Sequence, residues 1–469
     1  MPPRGAAGST RHPYRAPGFT ALRAARTRVS ASPHRAAGGT PRYRAAATAR
    51  APGKLLCCSL AKIYSFQPYR YTERAGPLAN LVTQPYDKIS PEMQRRYLSL
   101  SPYNLVRVIL GERKPQDDER QNVYTRAAQF LNEWIAAGVL ARDAAPAVFP
   151  YFQEFTEPDS GERLVRKGFI ALGAVEDYSA GIVHRHEQTL SGPKKDRLEL
   201  LRHTHAHFGQ IFMLYPDPEG AIDAILQEAA RSAPLEEVAD EYGVVHRVWK
   251  VDAPARIEQL MADKKLVIAD GHHRYETALA FRNENPQLPG ADRVMMTFVN
   301  MHSPGLRILA THRLVSGIPA AELPDGFLRA AANDFQIEEI PSTGELARAW
   351  QERSGRTVIG AAIGERLYLL EHRHARNALD VRILHERLLG KALGIGEEAV
   401  REEKNLRYMR GMEPAIAAAR SGQAQIAFLL KPTAIGQVAD ISLGGGVMPQ
   451  KSTDFYPKVL SGLAIYKLE

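Results

Sequence analysis

Residues 266–280 read LVIADGHHRYETALA, and the fold turns on where the pattern of this stretch changes. Leu266, Val267, Ile268 and Ala269 form a short unbroken apolar run, which suits a strand buried on both faces. After Gly271, the residues Tyr275, Ala278, Leu279 and Arg282 follow i, i+3, i+4, i+7 spacing, which predicts one face of a helix. An acid, a glycine, two histidines and an arginine therefore sit where a strand turns into a helix. In open α/β sheets ligands collect at the carboxyl ends of strands, and the free N–H groups of a helix start attract anions. The stretch reads as a site for something negatively charged.

Working outward, the chain alternates apolar strand patterns with helical ones. Residues 118–138 (DERQNVYTRAAQFLNEWIAAG) predict an amphipathic helix with acids in its first turn and a glycine stop. A hairpin follows, VFPYFQEF, the turn TEPDSGE, and RLVRKGFIALGAVED. LELLRHTHAHF reads as a helix and QIFMLY as a strand. Helices near 219–232 and 253–264 flank the strand VVHRVWKV. RVMMTFVNMH is another strand, and LRILATHRLV is expected to continue the same sheet. Residues 320–377 read as an inserted smaller α+β subdomain, leaving 62–319 and 378–469 as the main domain. This order argues α/β or α+β with a mixed sheet.

The 469-residue chain has a formal net charge of +9, but the charge is unevenly placed. The first acidic residue is Glu73, and from there to the end 48 Lys and Arg face 52 Asp and Glu. The basic character belongs to residues 1–60, rich in Ala, Arg, Pro, Gly and Ser and without apolar period, which predicts disorder. That tail suits a transit peptide, a basic nucleic-acid arm, or a translation start set too far upstream. The abrupt onset of patterned sequence at Lys62 favours the last. The acidic core gives no support to nucleic-acid binding. The only cysteines, Cys57 and Cys58, fall in or beside the tail. The core therefore has no structural disulfide, Cys-ligated zinc or thiol nucleophile. No apolar run approaches the length of a membrane span, and a cytoplasmic protein is expected.

Among candidate site residues, Gly271 lets backbone approach a ligand and Arg274 offers a planar fork of donors for phosphate. His272 and His273 can donate to phosphate oxygens or carry a proton near neutral pH. Asp270 either caps the helix or holds a metal or hydroxyl for chemistry. Glu187, beside His186, can serve as a general base. Lys195 and Arg197 can meet charge on a transferring phosphoryl group, or belong to a solvated loop before a helix. His312 with Arg313, and Lys451 with Thr453, are cations and a hydroxyl between apolar runs, suited to one cleft or to ordinary turns. Asp87 could line the same cleft. His203, His205 and His207 alternate, so on a helix only His203 and His207 share a face, and no structural zinc is expected. No GxxxxGK[ST] or GxGxxG motif is present.

Five stretches carry a resemblance to a known family: QPYDKIS (84–90), HEQT with KKDRLELL (186–201), ADGHHRYETAL (269–279), LATHRLV (309–315) and MPQKSTDFYPKVLSG (448–462). They resemble a bacterial domain-of-unknown-function family, number one thousand and fifteen, often labelled ParB-like, from Lys62 to the C-terminus. Asp454 departs from the aromatic residue expected there. The resemblance likens DGHHR to the phosphate-binding turn of ParB proteins, sulfiredoxin and ADP- or ATP-dependent free-serine kinases. It implies a nucleotide, ATP or ADP, with Mg²⁺ possible, and a small-molecule substrate; the acidic core and the lack of a long apolar run, not the resemblance, make nucleic-acid and membrane partners unexpected. The expected function is a nucleotide-dependent phosphotransferase or hydrolase acting on a small hydroxyl compound such as a free amino acid. Glu187, Asp270 and His186 would be catalytic. Gly271, His272, His273, Arg274, Lys195, Arg197, His312, Arg313, Lys451 and Thr453 would hold phosphates. The alternatives are a ParB-like nucleotide-dependent switch and a non-catalytic binding module.

Overall fold

The computed structural model describes residues 61–187, 192–251 and 254–468. The basic tail, both cysteines, Gln188 and Thr189 lie outside the described residues. Two large sheets organise the rest in a mixed α/β architecture. The first has nine strands. Across it run Val183–His184, Leu266–Asp270, Ile211–Tyr215, Arg293–Asn300, Arg163–Ala174, Phe149–Thr156, Val245–Val248 and Glu236–Ala239. Ile63–Tyr64 also pairs with Arg163–Ala174. The sheet is mixed, because Leu266–Asp270 runs parallel to Val183–His184 and antiparallel to Ile211–Tyr215.

The apolar run 266–269 is buried, flanked by the short edge strand Val183–His184 and by Ile211–Tyr215, as its unbroken pattern demands. Successive side chains on a strand point to opposite faces, and here the two faces feed two different cores. Val267 and Ala269 join Phe212 and Leu214 in one core, while Leu266 and Ile268 join Ile211 and Met213 in the other. The amphipathic helix expected over 118–138 runs Val123–Ala136, starting later than expected and without acids in its first turn, because Asn122 caps it through a reciprocal bond with Thr125.

The second sheet corrects the sequence reading. Its six antiparallel strands are ordered Phe335–Ile340, Arg366–Arg376, Arg356–Ile363, Ile426–Leu429, Thr311–Val315 and Leu406–Arg410. Three of them come from 320–377, but the other three lie outside that segment. Thr311–Val315, expected to continue the first sheet, pairs instead with Ile426–Leu429 and Leu406–Arg410. An apolar run announces a strand but not its partner, and these partners are about a hundred residues away. The helix expected through His207 stops at Thr204. His205 takes a left-handed φ of 46°, and Ala206–His207 pairs with Tyr466–Lys467. The three alternating histidines are thereby split between a helix, a turn and a strand. Among the described residues no group of three or more His, Cys, Asp or Glu could hold a metal ion, and no helix is long and apolar enough to cross a membrane.

Gly168 shows how tightly the first sheet is packed. A Cβ there would meet the Phe298 carbonyl oxygen at 2.5 Å and Val299 Cγ2 at 2.8 Å. Gly168→Ala is expected to lower stability by about 1–3 kcal/mol through overpacking. Gly436→Ala, in the helix Ile435–Leu443 with nothing within 4 Å, is expected to be neutral or stabilising by about 0.5–1 kcal/mol. Urea denaturation checks the pair, and equal effects at the two positions would refute the packing argument.

Candidate functional site

The strand Leu266–Asp270 ends where the helix His272–Glu284 begins, and Gly271 makes the join. Its φ of 95° is a conformation L side chains rarely adopt, and a Cβ there would lie 3.0 Å from the Arg274 guanidinium. Glycine is required on both counts. Gly271 occupies the N-cap position, and no side chain caps the helix. Asp270 is therefore not a plain cap. The first intrahelical bond runs from the Tyr275 N–H to the Gly271 carbonyl, so the N–H groups before it have no intrahelical acceptor and the positive end of the helix faces outward.

It faces a cavity of about 400 Å³. Asp270, Gly271, His272, His273 and Arg274 form one wall, and Glu187, Lys451 and Thr453 another. Four of the five stretches that carry the family resemblance supply the predicted residues found here. Asp87 also lines the cavity, and the structure adds Tyr86, Lys88, Thr311, Tyr408, Met409, Arg410, Asp454 and Lys458. Lys458 matters most. Only about a tenth exposed, it lies 3.5 Å from Asp270 and 3.1 Å from Asp454. Arg410 also donates to Asp454 at 2.8 Å. The departure at Asp454 from an aromatic residue thus has a local electrostatic role.

The charges divide into committed and uncommitted ones. Burial opposes ionisation of Asp270, but Lys458, then Arg274 and Lys88, hold its carboxyl well below the usual carboxylate range. Burial penalises the Lys458 ammonium too, yet Asp270 and Asp454 raise its pKa above the ordinary lysine value. Glu187 behaves oppositely. Burial raises its carboxyl, only partly offset by the Lys451 backbone N–H, which donates to Oε1 at 3.3 Å. A carboxylate that is easily protonated is what a general base requires. Tyr408 also lines the cavity, and its buried hydroxyl has no hydrogen-bond partner among the described residues.

Several predicted roles change in place. His186 is fully buried behind the cavity. Its Nδ1 bonds the Ile268 carbonyl at 2.6 Å and its Nε2 bonds Thr453 Oγ1 at 2.8 Å. The carbonyl can only accept, which places the proton on Nδ1 and makes the threonine hydroxyl the donor to Nε2. Burial holds this imidazole down to about 4, so it is neutral and positions Thr453 instead of exchanging protons. Burial and the neighbouring His186 likewise keep His272 neutral. Arg274 donates to Asp270 Oδ2 at 2.7 Å and to the Gln210 carbonyl, which braces the turn. Arg313 is buried beneath the cavity wall and holds the Gln450 and Lys451 carbonyls at 3.3 and 2.9 Å. That grip supports Lys451, whose φ of 58° is unusual for a residue with a side chain.

Three predicted residues lie away from the cavity. Lys195 is exposed on the helix Gly192–Thr204. Arg197 lies behind Tyr86, its guanidinium 4.1 Å from the ring centre, and donates to the Ile109 carbonyl at 2.7 Å. His312 is buried in the second sheet, where Nδ1 accepts from the Leu430 N–H at 3.2 Å. Spacing in sequence could not separate these from true wall residues. The neglected Lys458 had a signal, a lone cation inside the apolar closing segment FYPKVLSG, where an unpaired charge would be costly.

A family model described as "Protein of unknown function (DUF1015)" matches residues 63–388. No curated protein matches the chain. Among solved structures, the chain is similar to a mutant free serine kinase in complex with ADP, at 12% identity and a TM-score of 0.34, covering 61% of this chain and 89% of that one. A conserved hypothetical protein from Pyrococcus furiosus matches at 14% identity and a TM-score of 0.32, covering 60% and 92%. SbnI with a C-terminal truncation, from Staphylococcus aureus, matches at 10% identity and a TM-score of 0.31, covering 63% and 87%.

The raised pKa of Glu187 has a consequence for stability. Its protonated form favours the fold; that contribution is complete below the unfolded value of about 4.3 and is lost as pH rises through the higher folded value. Glu187→Gln has no such proton to lose. The variant is expected to gain stability over the parent protein as pH is raised from 4 to 7.5. Urea midpoints at the two pH values measure this, and a difference that stays constant would refute a raised pKa.

Proposed function

The chain belongs to the family of that model, and from this premise we propose that the cavity binds the phosphates of a nucleotide and transfers a phosphoryl group to a small hydroxyl compound. The observation that carries the reading is the helix start at Gly271, opening onto a cavity that also presents Lys88, Arg410, Lys451 and a partly buried Glu187. N–H groups at a positive helix end, with cations around them, are complementary to phosphate oxygens. A cavity of this volume suits a small molecule.

In this reading the N–H groups of His272, His273 and Arg274 and the cations Lys451, Lys88 and Arg410 hold phosphate oxygens. Thr453 is oriented by His186. Glu187 accepts the proton of the acceptor hydroxyl as its oxygen bonds to phosphorus. The bond from phosphorus to the leaving phosphate oxygen breaks, and the nearby cations meet the charge released there. Asp270 stays ionised and holds Lys458 and Arg274 in place. A divalent ion would enter with the nucleotide.

Thermal shift against ATP, ADP, CTP and GTP, with and without Mg²⁺, tests the binding step. A nucleotide at a hundred times its Kd should stabilise the protein by about 2.7 kcal/mol. Lys451→Ala is expected to weaken that nucleotide at least about tenfold, as loss of a charge-assisted contact would. Glu187→Gln should retain binding while transfer to a hydroxyl acceptor falls about 10²–10⁴-fold. If no nucleotide stabilises the protein, the phosphate reading fails; if Glu187→Gln transfers normally, the base assignment fails.

A further inference from the structure

A second cavity, of about 300 Å³, lies on the other side of the segment that leads into Lys451. Its floor is the stretch Val447–Gln450, and its walls come from the helical stretches Asp380–Ala392 and Glu397–Arg401. Each helical wall presents one cation and one anion four residues apart, Arg382 with Glu386 and Glu397 with Arg401. Opposite charges at this spacing ordinarily pair along a helix. Among the described residues none of these four has an ion-pair partner, and Arg382 makes only a hydrogen bond of 3.2 Å to the Val447 carbonyl.

A further feature marks this wall. His385, which lines the cavity, lies in Leu384–Ala392, a π-helix, a rare backbone form that concentrates at functional sites. The rest of the lining is apolar, with Val400, Val447, Met448 and Pro449. We propose that this cavity binds a free α-amino acid with an apolar side chain. Its carboxylate is met by Arg401, its ammonium by Glu397, and its side chain by the apolar floor.

The floor joins this cavity to the first one. The Met448 N–H donates to the His186 carbonyl at 2.7 Å, Arg313 holds the carbonyls of Gln450 and Lys451, and the Lys451 N–H reaches Glu187. An amino acid seated on Val447–Gln450 therefore acts on the position of Lys451 and Glu187, and occupancy of one cavity changes affinity in the other. The amino-acid site stands on its own residues, whereas this coupling rests on the nucleotide reading.

The test uses the full chain and L-leucine, L-valine and L-methionine as probes, with leucinamide and 4-methylpentanoate as controls lacking the carboxylate or the ammonium. At saturation an amino acid should raise Tm by about 2–5 °C, and neither control should. Arg401→Met and Glu397→Gln, both at exposed positions, should each weaken the amino acid at least tenfold while leaving the nucleotide shift intact. Absence of any amino-acid shift, or a shift unaffected by both variants, overturns the site. A shift abolished by Lys451→Ala but not by Arg401→Met places the amino acid in the first cavity and also overturns it. Nucleotide affinity that is unchanged by saturating leucine overturns the coupling. An amino-acid shift with no nucleotide response upholds this site and removes the phosphate reading instead.

Discussion

The arrangement of the candidate site depends on one buried ammonium held between two carboxylates. Lys458 reaches Asp270 at the end of a strand of the first sheet and Asp454 in the closing segment of the chain. Arg274 on one side and Arg410 on the other complete a row of alternating charge. Charges removed from water persist only when paired and well bonded, and removal of one partner leaves the next uncompensated. The row therefore ties the DGHHR turn to a segment nearly two hundred residues later in the chain. It also explains why Asp270, a tempting base in sequence, is the carboxylate least disposed to take a proton, while Glu187, outside the row, is disposed to.

The segment that carries Lys458 is itself anchored from beneath. The Arg166 guanidinium, almost wholly buried, donates to the Pro457 carbonyl and to Gln153 Oε1 and lies 4.5 Å from the centre of the Phe212 ring. Gln153 donates to the Lys458 carbonyl at 2.7 Å, and the Leu460 N–H donates to the Tyr151 hydroxyl at 3.3 Å. Tyr151 continues to His246 at 2.7 Å, and His246 to Asp240 at 3.3 Å. These side chains come from the central strands of the first sheet. A polar network of this kind, satisfied at most positions, fixes backbone that no helix or strand holds. The candidate cavity thus has rigid support on the sheet side and a loop, Val447–Thr453, on the other.

Much of the local structure was legible in the sequence. The apolar run 266–269 suited a buried strand, and the change of period after Gly271 placed a helix start there, because side-chain periodicity follows directly from backbone geometry. The anion-attracting character of the turn was equally readable, whereas the need for glycine at 271 rests on its positive φ, which the structure supplied. Glu187 was identified by its chemistry and stands on the cavity wall. The residues that misled were polar ones beside apolar runs. His312 and Arg197 have the same sequence surroundings as wall residues, but the direction in which a strand or helix faces depends on what it packs against.

Local alternation and residue chemistry therefore determined, from sequence alone, the strand–turn–helix unit, the mixed α/β class and the core of the candidate site. Tertiary structure decided the rest: that Thr311–Val315 joins the second sheet, that Lys458 completes the charge row, that His186 serves Thr453, and that Lys195 remains outside. Each of those outcomes depends on pairing between segments far apart in the chain. Such pairing is settled by which buried surfaces and buried charges satisfy one another, and a one-dimensional pattern records only the demand of each segment, never its partner.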